Sequence, residues 1–377
     1  MWTSANALAL LLVSAVAGAK HRLVVGTFST EYLYTLEYDD VSKSLSRVAQ
    51  SSVNAASSWL ALNHDKTKLY GTDWNALEPT FVSYDVSDPL DIQVEARVVV
   101  TAQGCSGTKS IFVVADQKPP YAVYGSYYYG DAKCGTVLGV DARGTLLQQG
   151  GGGSIVQEYV YEAGSAVHGT AISPDEQFLF SADTKGNKLW VHRIDRAAAG
   201  KLKPVARVEG PKPGSGPRHV AINGNGKYAY VVLEEASAVA QYAIDEESGV
   251  PSLEGELYTL LPEGKDPADY WADETNAYLW ATNRARAVDD KGYIAAFALD
   301  GAGRIASRLF LRETSTSGGF ANSVSASPFD ASLAALTDNS TGFVEIWDLD
   351  HGGGVVAHLD IREDGQGGCC ANAVWLD

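Results

Sequence analysis

Residues 188–195 read KLWVHRID, a mostly apolar run that ends in aspartate, and the same pattern recurs along the whole chain. Six further stretches share it: LYTLEYD (33–39), FVSYD (81–85), TVLGVD (136–141), AVAQYAID (238–245), YIAAFALD (293–300) and FVEIWD (343–348). Their closing aspartates lie 46 to 56 residues apart. Repetition at that period is typical of a β-propeller, in which each repeat forms one four-stranded blade. The sequence therefore predicts an all-β, seven-bladed propeller.

Two more sets of β-prone stretches supply the inner half of each predicted blade. The innermost strands are assigned to 57–63, 109–116, 167–173, 218–223, 269–274, 322–327 and 372–377. The second strands are assigned to 22–28, 68–74, 121–127, 178–183, 228–234, 278–284 and 332–338. Alternating apolar positions and many β-branched or aromatic residues favour strands over helices in these stretches.

The two ends of the chain complement each other in this assignment. The first blade has no innermost strand of its own near the N-terminus, and the C-terminal stretch NAVWLD (372–377) supplies one. We therefore expect the C-terminal strand to close the first blade. Closure of the ring also removes the free sheet edges on which other chains could pair.

The bulk properties describe an acidic globular chain of 377 residues with a formal net charge of −17. Hydrophobic residues make up 45% and charged residues 20% of the sequence, as in ordinary globular proteins. No basic run offers a phosphate-tracking surface, so nucleic acid is not an expected partner. Because a repeat array can hold many residues in one closed unit, residues 20–377 are predicted to form a single domain.

The N-terminal residues 1–19 form an apolar stretch that ends in Ala17-Gly18-Ala19. Small residues at these positions fit a signal-peptide cleavage site before Lys20, and the stretch is short for a membrane span. We expect a signal peptide at 1–19 and a secreted protein, with a plain hydrophobic N-terminus on a cytoplasmic protein as the alternative. No later stretch reaches 18 apolar residues, so no membrane association is expected after signal removal.

Four cysteines allow three disulfide pairings, and export makes a disulfide plausible. Cys105 and Cys134 both lie in the third predicted blade and could pair. The neighbours Cys369 and Cys370 are not expected to bond each other without strain. No histidine spacing nearby suggests a zinc site, so no metal is predicted. Asn339 opens an Asn-Ser-Thr sequon that could be glycosylated in an exported protein.

Strand direction determines which residues meet at the mouth of the central channel. An innermost strand starts, and the second strand ends, on the same face of the ring. In blades four to six these positions hold His168, Arg218, Glu234 and Arg284. Three further polar residues neighbour them: Asp183, Tyr270 and Asn283. The four charged or titratable groups are the predicted catalytic site, because guanidinium groups suit bidentate binding of carboxylates.

Each of these residues also has a purely structural interpretation when taken alone. Arg218 and Glu234 could form an ion pair within one blade, Arg284 could be a solvated charge, and His168 could hydrogen-bond between blades. Their convergence on one rim favours function, because buried charges without a role are costly. Strand alternation predicts that His219 points away from the channel. The run Tyr127–Tyr129 either lines the mouth or packs at the surface.

Five stretches spread over blades three to seven carry a resemblance to a known family. They are QKPPYAVYGSYY (117–128), VHGTAISPDEQFLFSADTKGNKLWVHR (167–193), GPRHVAINGNGKYAYVVLE (216–234), the NRARA and GYIAAF segments (283–297) and TSTSGGFANSVSASP (314–328). In these stretches the sequence resembles the fungal 3-carboxy-cis,cis-muconate cyclases of the seven-bladed lactonase superfamily. His168, Arg218, Glu234 and Arg284 match the residues proposed as that family's active site. Phe320 stands where the family pattern has a histidine.

The resemblance implies an intramolecular cycloisomerisation that closes a lactone without a metal or redox cofactor. Its substrate would be a small anion, a tricarboxylate or a lactone, gripped by Arg218 and Arg284. His168 would supply the proton, and Glu234 would act as an alternative acid or orient its neighbours. The family's enzymes act on intracellular catabolites, whereas residues 1–19 of this chain predict export.

Two alternatives remain open from the sequence. The same cations would suit a lactone hydrolase resembling 6-phosphogluconolactonases, with water as the nucleophile and an acidic sugar lactone as the substrate. A secreted propeller without enzymatic activity would instead bind a carbohydrate or protein partner, and Phe320 would then mark an eroded site. The sequence makes no prediction of the oligomeric state.

Overall fold

A computed structural model describes residues 18–100, 105, 107–148, 154–275, 279–361 and 369–377. Within these ranges the chain forms a ring of seven β-sheets, which confirms the predicted all-β propeller. The predicted signal peptide lies almost wholly outside the described residues. No described helix is long and apolar enough to cross a membrane.

The first four blades take most of their strands in chain order. Blade 1 contains β1 (Lys20–Thr27), β2 (Tyr32–Asp39) and β3 (Ser44–Ser52). Blade 2 contains β4 (Leu60–Leu62), β5 (Lys68–Thr72), β6 (Thr80–Asp85) and β7 (Gln93–Val99). Blade 3 contains β8 (Lys109–Ala115), β9 (Val123–Tyr128), β10 (Cys134–Leu138) and β11 (Ile155–Val160). Blade 4 contains β12 (Val167–Ile172), β13 (Phe178–Asp183), β14 (Lys188–Asp195) and β15 (Lys201–Glu209).

The remaining three blades follow the same antiparallel order. Blade 5 contains β16 (Pro217–Ile222), β17 (Tyr228–Leu233) and β18 (Ala238–Ile244), with an outer edge made of β19 (Pro251–Leu253) and β20 (Tyr258–Thr259). Blade 6 contains β21 (Tyr270–Thr275), β22 (Trp280–Ala285), β23 (Tyr293–Leu299) and β24 (Ile305–Glu313). Blade 7 contains β25 (Val324–Ala326), β26 (Leu333–Asp338), β27 (Phe343–Asp348) and β28 (Gly354–Asp360).

The C-terminal strand β29 (Cys369–Trp375) closes the ring. It pairs antiparallel with β1 and is the innermost strand of blade 1, with Leu23 opposite Trp375 and Val24 opposite Val374. The expected closure of the first blade by the C-terminus is therefore confirmed. The first and last strands of the ring are held together by a sheet ladder rather than by a loop.

The repeated aspartates have a local structural reason. The Asp39 carboxylate accepts the backbone N–H of Ser42 at 2.8 Å, and the Asp300 carboxylate accepts that of Arg304 at 2.9 Å. An aspartate that bonds the backbone a few residues ahead stabilises a tight reversal of the chain. The pattern recurs because each third strand must turn back into the outermost strand of its blade.

The hydrophobic core lies between neighbouring blades, since both faces of most sheets are covered. Val24 and Leu33 of blade 1, for example, pack with Leu60, Leu69 and Val82 of blade 2 in one fully buried cluster. Burial on both faces explains why the inner strands read as nearly continuous apolar runs. The stacked blades form a rigid wall around the central channel.

The cysteines form two disulfides, one of which differs from expectation. Cys105 bonds Cys134 across blade 3, as the sequence allowed. Cys369 bonds Cys370, and the expectation that these neighbours would not pair is wrong. A cis peptide bond joins the two residues, and their Cα atoms lie 3.1 Å apart.

Candidate active site

A cavity of about 500 Å³ opens at one mouth of the central channel. His168, Arg218, Glu234 and Arg284 all line it, so the structure brings the four sequence-predicted residues together. His168 and Arg218 lie near the starts of β12 and β16, Glu234 directly follows β17, and Arg284 lies near the end of β22. The antiparallel order of the blades carries all of these positions to the same face.

An ion-paired cluster forms the floor of this cavity. One carboxylate oxygen of Glu234, Oε1, lies 2.9 Å from Nη1 of Arg218 and 3.4 Å from Nη2 of Arg284. The three side chains are at most 9% exposed. Arg284 also donates to the backbone carbonyl of Gly319 at 3.1 Å. A carboxylate held between two guanidinium groups fixes both cations in place, and the cluster retains one net positive charge.

The imidazoles of His168 and His219 face each other beside the cluster. Nε2 of His219 and Nδ1 of His168 lie 2.8 Å apart, so one ring donates a hydrogen bond to the other. The prediction that His219 points away from the channel is wrong, because the strand register shifts between Pro217 and His219. Such a bulge breaks the alternation of side chains and turns Arg218 and His219 toward the same cavity.

A glycine makes the close approach of the two histidines possible. A Cβ atom at Gly169 would lie 2.5 Å from Cδ2 of His219 and 2.9 Å from the backbone oxygen of Arg218. Any larger residue would push His219 away from His168. In the sequence, the glycine directly after His168 was therefore the signal that another side chain, that of His219, packs closely at this point.

The electrostatic surroundings keep His168 uncharged. Burial, followed by the charges of Arg218, His219 and Arg284, holds the pKa of His168 well below its ordinary value of 6.5. Burial and the nearby Glu234 raise the pKa of Tyr128 to about 12, so its hydroxyl stays protonated. Its ring lies edge-on to His168 with the ring centroids 5.0 Å apart.

A second, outer pair of charges was missed by the sequence reasoning. Nη2 of Arg286 lies 2.6 Å from the carboxylate of Glu235 at the cavity rim. The indole of Trp271 separates this pair from the inner cluster, with the guanidinium carbons of Arg286 and Arg284 at 4.3 and 5.3 Å from its ring centroid. The signal in the sequence was the Arg-x-Arg spacing of Arg284, which lies on β22, and Arg286, which directly follows that strand.

Aromatic side chains form the opposite side of the mouth. Besides Trp59 and Trp271, five aromatic side chains line the cavity: Phe28, Trp74, Tyr128, Tyr129 and Phe320. The interpretation that the tyrosine run lines the mouth is confirmed for Tyr128 and Tyr129. Tyr127 is fully buried in the core of blade 3 instead.

The three neighbouring polar residues serve the fold rather than the cavity. The Asp183 carboxylate accepts the Trp190 indole N–H at 3.0 Å and the backbone N–H of Ala166 at 2.8 Å. Asn283 bonds the backbone of Leu260 and Tyr293. Tyr270 packs in a core cluster. Among the described residues, no three His, Cys, Asp or Glu side chains converge as a metal-ligand set.

The chain resembles two curated fungal proteins over most of its length. It is 32% identical over 348 residues to the carboxy-cis,cis-muconate cyclase of Neurospora crassa, covering 87% of this chain and 92% of that protein. It is 28% identical over 359 residues to muconate cycloisomerase 1 of Cutaneotrichosporon cutaneum, covering 88% and 91%.

A solved structure and a family model agree with this architecture. The periplasmic gluconolactonase of Pseudomonas aeruginosa superimposes with a TM-score of 0.74 over 95% of this chain and 99% of that one, at 20% identity, which shows the fold alone. The model of the seven-bladed β-propeller lactonases matches residues 22–371. With the ring, the cavity and the long fungal alignments together, this chain belongs to the seven-bladed β-propeller lactonase family.

Proposed function

We propose that this protein is a carboxy-cis,cis-muconate cyclase-like enzyme, which closes a lactone by intramolecular addition of a substrate carboxylate to a conjugated double bond. The observation that carries the proposal is the buried cluster in which one oxygen of Glu234 holds Arg218 and Arg284 beside the imidazole of His168. The names of the two fungal relatives support this class of reaction.

Substrate binding follows from the two guanidinium groups. Glu234 balances one of their charges, and the remaining positive charge attracts the carboxylate of an incoming anion. Guanidinium groups hold a carboxylate in a defined orientation, so its oxygen can be placed against the double bond that it attacks. Because the cluster is already ordered, little reorganisation is needed as the reaction proceeds.

The chemical step is balanced by one proton. A new C–O bond forms between the carboxylate oxygen and one carbon of the double bond, and the π electrons move onto the adjacent carbon and its conjugated carbonyl group. A proton is then added to that adjacent carbon. Because a carboxylate becomes a neutral lactone, each turnover takes up one proton from solution, and no electrons are gained or lost.

His168 is the proposed proton donor. Its pKa is held low by burial and by the two nearby guanidinium groups. A bound carboxylate offsets the guanidinium charge and raises that pKa, so the imidazole takes up the proton when the substrate is present. His219 fixes the orientation of the His168 ring through the 2.8 Å hydrogen bond.

The test is a turnover assay with carboxymuconate, whose conjugation is lost on ring closure and is followed by ultraviolet absorbance. We expect His168→Ala and Arg284→Ala each to abolish lactone formation while circular dichroism still reports a folded protein. The matched controls are His358→Ala and Arg308→Ala, which remove the same residue types from the outer strands β28 and β24. Retained turnover in both cavity variants would reject the proposed roles.

A second candidate is a lactone hydrolase, and the uncharged state of His168 favours it. A neutral imidazole in a cationic cavity can act as a general base that removes a proton from an attacking water. Proton flux separates the two reactions in a weakly buffered solution at pH 7. Lactone closure makes the solution more alkaline, whereas hydrolysis of a sugar lactone to a carboxylate makes it more acidic. If neither substrate class changes the pH, a non-enzymatic binding protein is the remaining alternative.

We also propose that the protein is exported after removal of residues 1–19. The apolar stretch and its small residues support this, and two disulfides are typical of proteins from oxidising compartments. Mass spectrometry of the protein secreted by a eukaryotic host should find an N-terminus at Lys20. A cytoplasmic protein that retains Met1–Ala19 would contradict the proposal.

A further inference from the structure

Five aromatic rings form a continuous arc around the side of the mouth that faces the charged cluster. We call Tyr128, Tyr129, Trp74, Phe28 and Phe320 the aromatic arc. The centroids of successive rings lie 5.2, 5.5, 5.4 and 6.0 Å apart in that order. These are ordinary distances for interacting aromatic pairs, so the arc is one surface rather than five separate side chains.

The arc is assembled from loops of consecutive blades. Phe28 follows β1, Trp74 follows β5, Tyr129 follows β9, and Phe320 lies between β24 and β25. No single blade could build it, and apart from Tyr128, the last residue of β9, its rings lie beyond the ends of the strands. Rings collected from separate loops at the mouth of one cavity indicate a binding surface.

Two of these rings are exposed to solvent. Phe320 is 64% and Tyr129 46% exposed, and among the described residues they are the two aromatic side chains that are mainly exposed. Tyr129 has a left-handed backbone with φ of 61°, which is an unfavourable conformation for a bulky residue. Exposed apolar surface beside a cavity is typical of a ligand site.

Other contacts hold the arc in position. The Lys109 ammonium group donates to the backbone carbonyl of Trp74 at 2.6 Å and lies 5.3 Å from its ring centroid. The backbone N–H of Phe320 donates to the Asn339 side chain at 3.2 Å. The rings therefore form a largely preformed surface, which lowers the entropic cost of binding a planar group.

The charged residues on the other side of the cavity provide for the acid group of the substrate. Arg218, Arg284 and Arg286 stand against Glu234 and Glu235, which leaves one positive charge on the lining. The ammonium groups of Lys109 and Lys185 add two more near the arc, at 5.3 Å from the Trp74 ring centroid and 6.0 Å from that of Tyr128. A substrate that places a ring in the arc can therefore bring one or more carboxylates with it.

We propose that the aromatic arc is a substrate subsite for an aromatic ring, and that the preferred substrate is an aryl-bearing unsaturated acid. This inference rests on the proposed lactone chemistry, because it names the substrate class of the same cavity. The ring of the substrate stacks in the arc while its carboxylate reaches Arg218 and Arg284. Tyr128 joins the two regions, since it belongs to the arc and touches His168.

The test is calorimetric titration with two acids, one with a ring and one without. Cinnamate carries one carboxylate and a ring, whereas sorbate carries one carboxylate and a diene without a ring. We expect cinnamate to bind at least about tenfold more tightly than sorbate, as two or more ring contacts allow. Binding of sorbate as tightly as cinnamate would overturn the inference.

Substitutions in the arc locate the effect. Phe320→Ala and Trp74→Ala should each weaken cinnamate binding about fivefold and change sorbate binding less than about twofold. Leu309→Ala on the outer strand β24 removes an exposed apolar side chain away from the cavity and should change neither. Equal losses for cinnamate and sorbate in the arc variants would also overturn the inference.

The proposed function and the subsite fail in different ways. If the wild-type protein closes no lactone but selects cinnamate through Phe320 and Trp74, the proposed function is wrong and the subsite stands. If it closes the lactone of carboxymuconate and binds cinnamate no better than sorbate, the function stands and the subsite is wrong. Each measurement therefore decides one of the two claims.

Discussion

The two sides of the cavity mouth differ in where their side chains are anchored. The charged cluster of blades 4 to 6 lies on strands or directly after one, with His168 on β12, Arg218 on β16 and Arg284 on β22. The aromatic arc of blades 7, 1, 2 and 3 lies mainly on loops. Strands position a side chain more accurately than loops do. In this protein the reacting groups therefore lie on strands, and the rings proposed to select the substrate lie mainly on loops.

The two sides also differ in how they are held together. The charged side relies on buried ion pairs around Glu234. Both disulfides lie on the aromatic side, Cys105–Cys134 in blade 3 and Cys369–Cys370 in blade 1. The second of these is close to the arc, because Cys369 pairs with Thr27, the neighbour of Phe28. The Cys105–Cys134 bond ties the segment before β8 to the start of β10, a few residues after Tyr129.

The largest effect is expected from neutralising the centre of the charged side. Glu234→Gln should lower the free energy of unfolding by about 3–5 kcal/mol and reduce turnover at least about a hundredfold, because two buried guanidinium groups lose their shared anion. Urea denaturation and the carboxymuconate assay measure the two changes. Glu235→Gln is the matched control, since its exposed pair with Arg286 contributes about 1 kcal/mol or less. Similar losses in both variants would refute the role of the buried cluster.

The covalent link on the aromatic side should come next. Replacement of Cys105 and Cys134 by serine should lower the free energy of unfolding by about 3 kcal/mol, since the bond closes a loop over a sequence separation of 29. Lactone formation should change less than threefold, because the charged cluster lies in other blades. A loss of turnover larger than the loss in cinnamate affinity would show that the two sides are not independent.

Acid should act on the charged side through two buried histidines of blade 4. Burial lowers the pKa of His192, on β14 outside the cavity, from 6.5 to about 4. Between these values the unfolded chain binds a proton that the folded protein does not, so stability falls as the pH falls from 6.5 to about 4. His192→Gln should remove about 3 kcal/mol of this pH dependence and leave turnover unchanged.

His168 provides the contrast in the same experiment. Its pKa is lowered by burial and by the neighbouring arginines. Like His192, it therefore makes the folded protein less stable as the pH falls below 6.5. His168→Gln should reduce that pH dependence and also abolish turnover. Urea denaturation at a series of pH values measures both variants. An unchanged acid response in His168→Gln would show that the ring is not neutral in the folded protein.

The smallest effect is expected at the rim of the arc. Because Phe320 is 64% exposed, Phe320→Ala should change the free energy of unfolding by less than about 0.5 kcal/mol. The same substitution should still weaken binding of an aromatic acid. A large loss of stability in Phe320→Ala would mean that Phe320 packs against the fold, and it would contradict the interpretation that its ring is exposed in order to bind a ligand.

Much of the architecture could be predicted because it repeats. The strands ending in Asp39 or Asp195 mark the third strand of each blade, since every blade needs the same turn at that point. The closing strand at 372–377 could be predicted because the first of the seven blades has no innermost strand of its own near the N-terminus. Strand direction alone then brought His168, Arg218 and Arg284 to one face.

What could not be predicted depends on departures from regular strands and on contacts between loops. Strict alternation placed His219 on the wrong side, because a bulge at Arg218 is not visible in the residue pattern. Phe28 and Trp74 lie on connections without periodicity, and their meeting requires the ring to be closed. Cys369 and Cys370 pair through a local backbone conformation that no spacing rule describes.

The joining of both chain ends in blade 1 has a consequence for biosynthesis. Ala371 and Asn372 of β29 line the cavity, and the side chain of Asn372 donates to the backbone of Leu60 at 3.3 Å. A nascent chain therefore lacks part of the binding wall until β29 has left the ribosome. Ligand affinity should then emerge only after β29 has paired with β1.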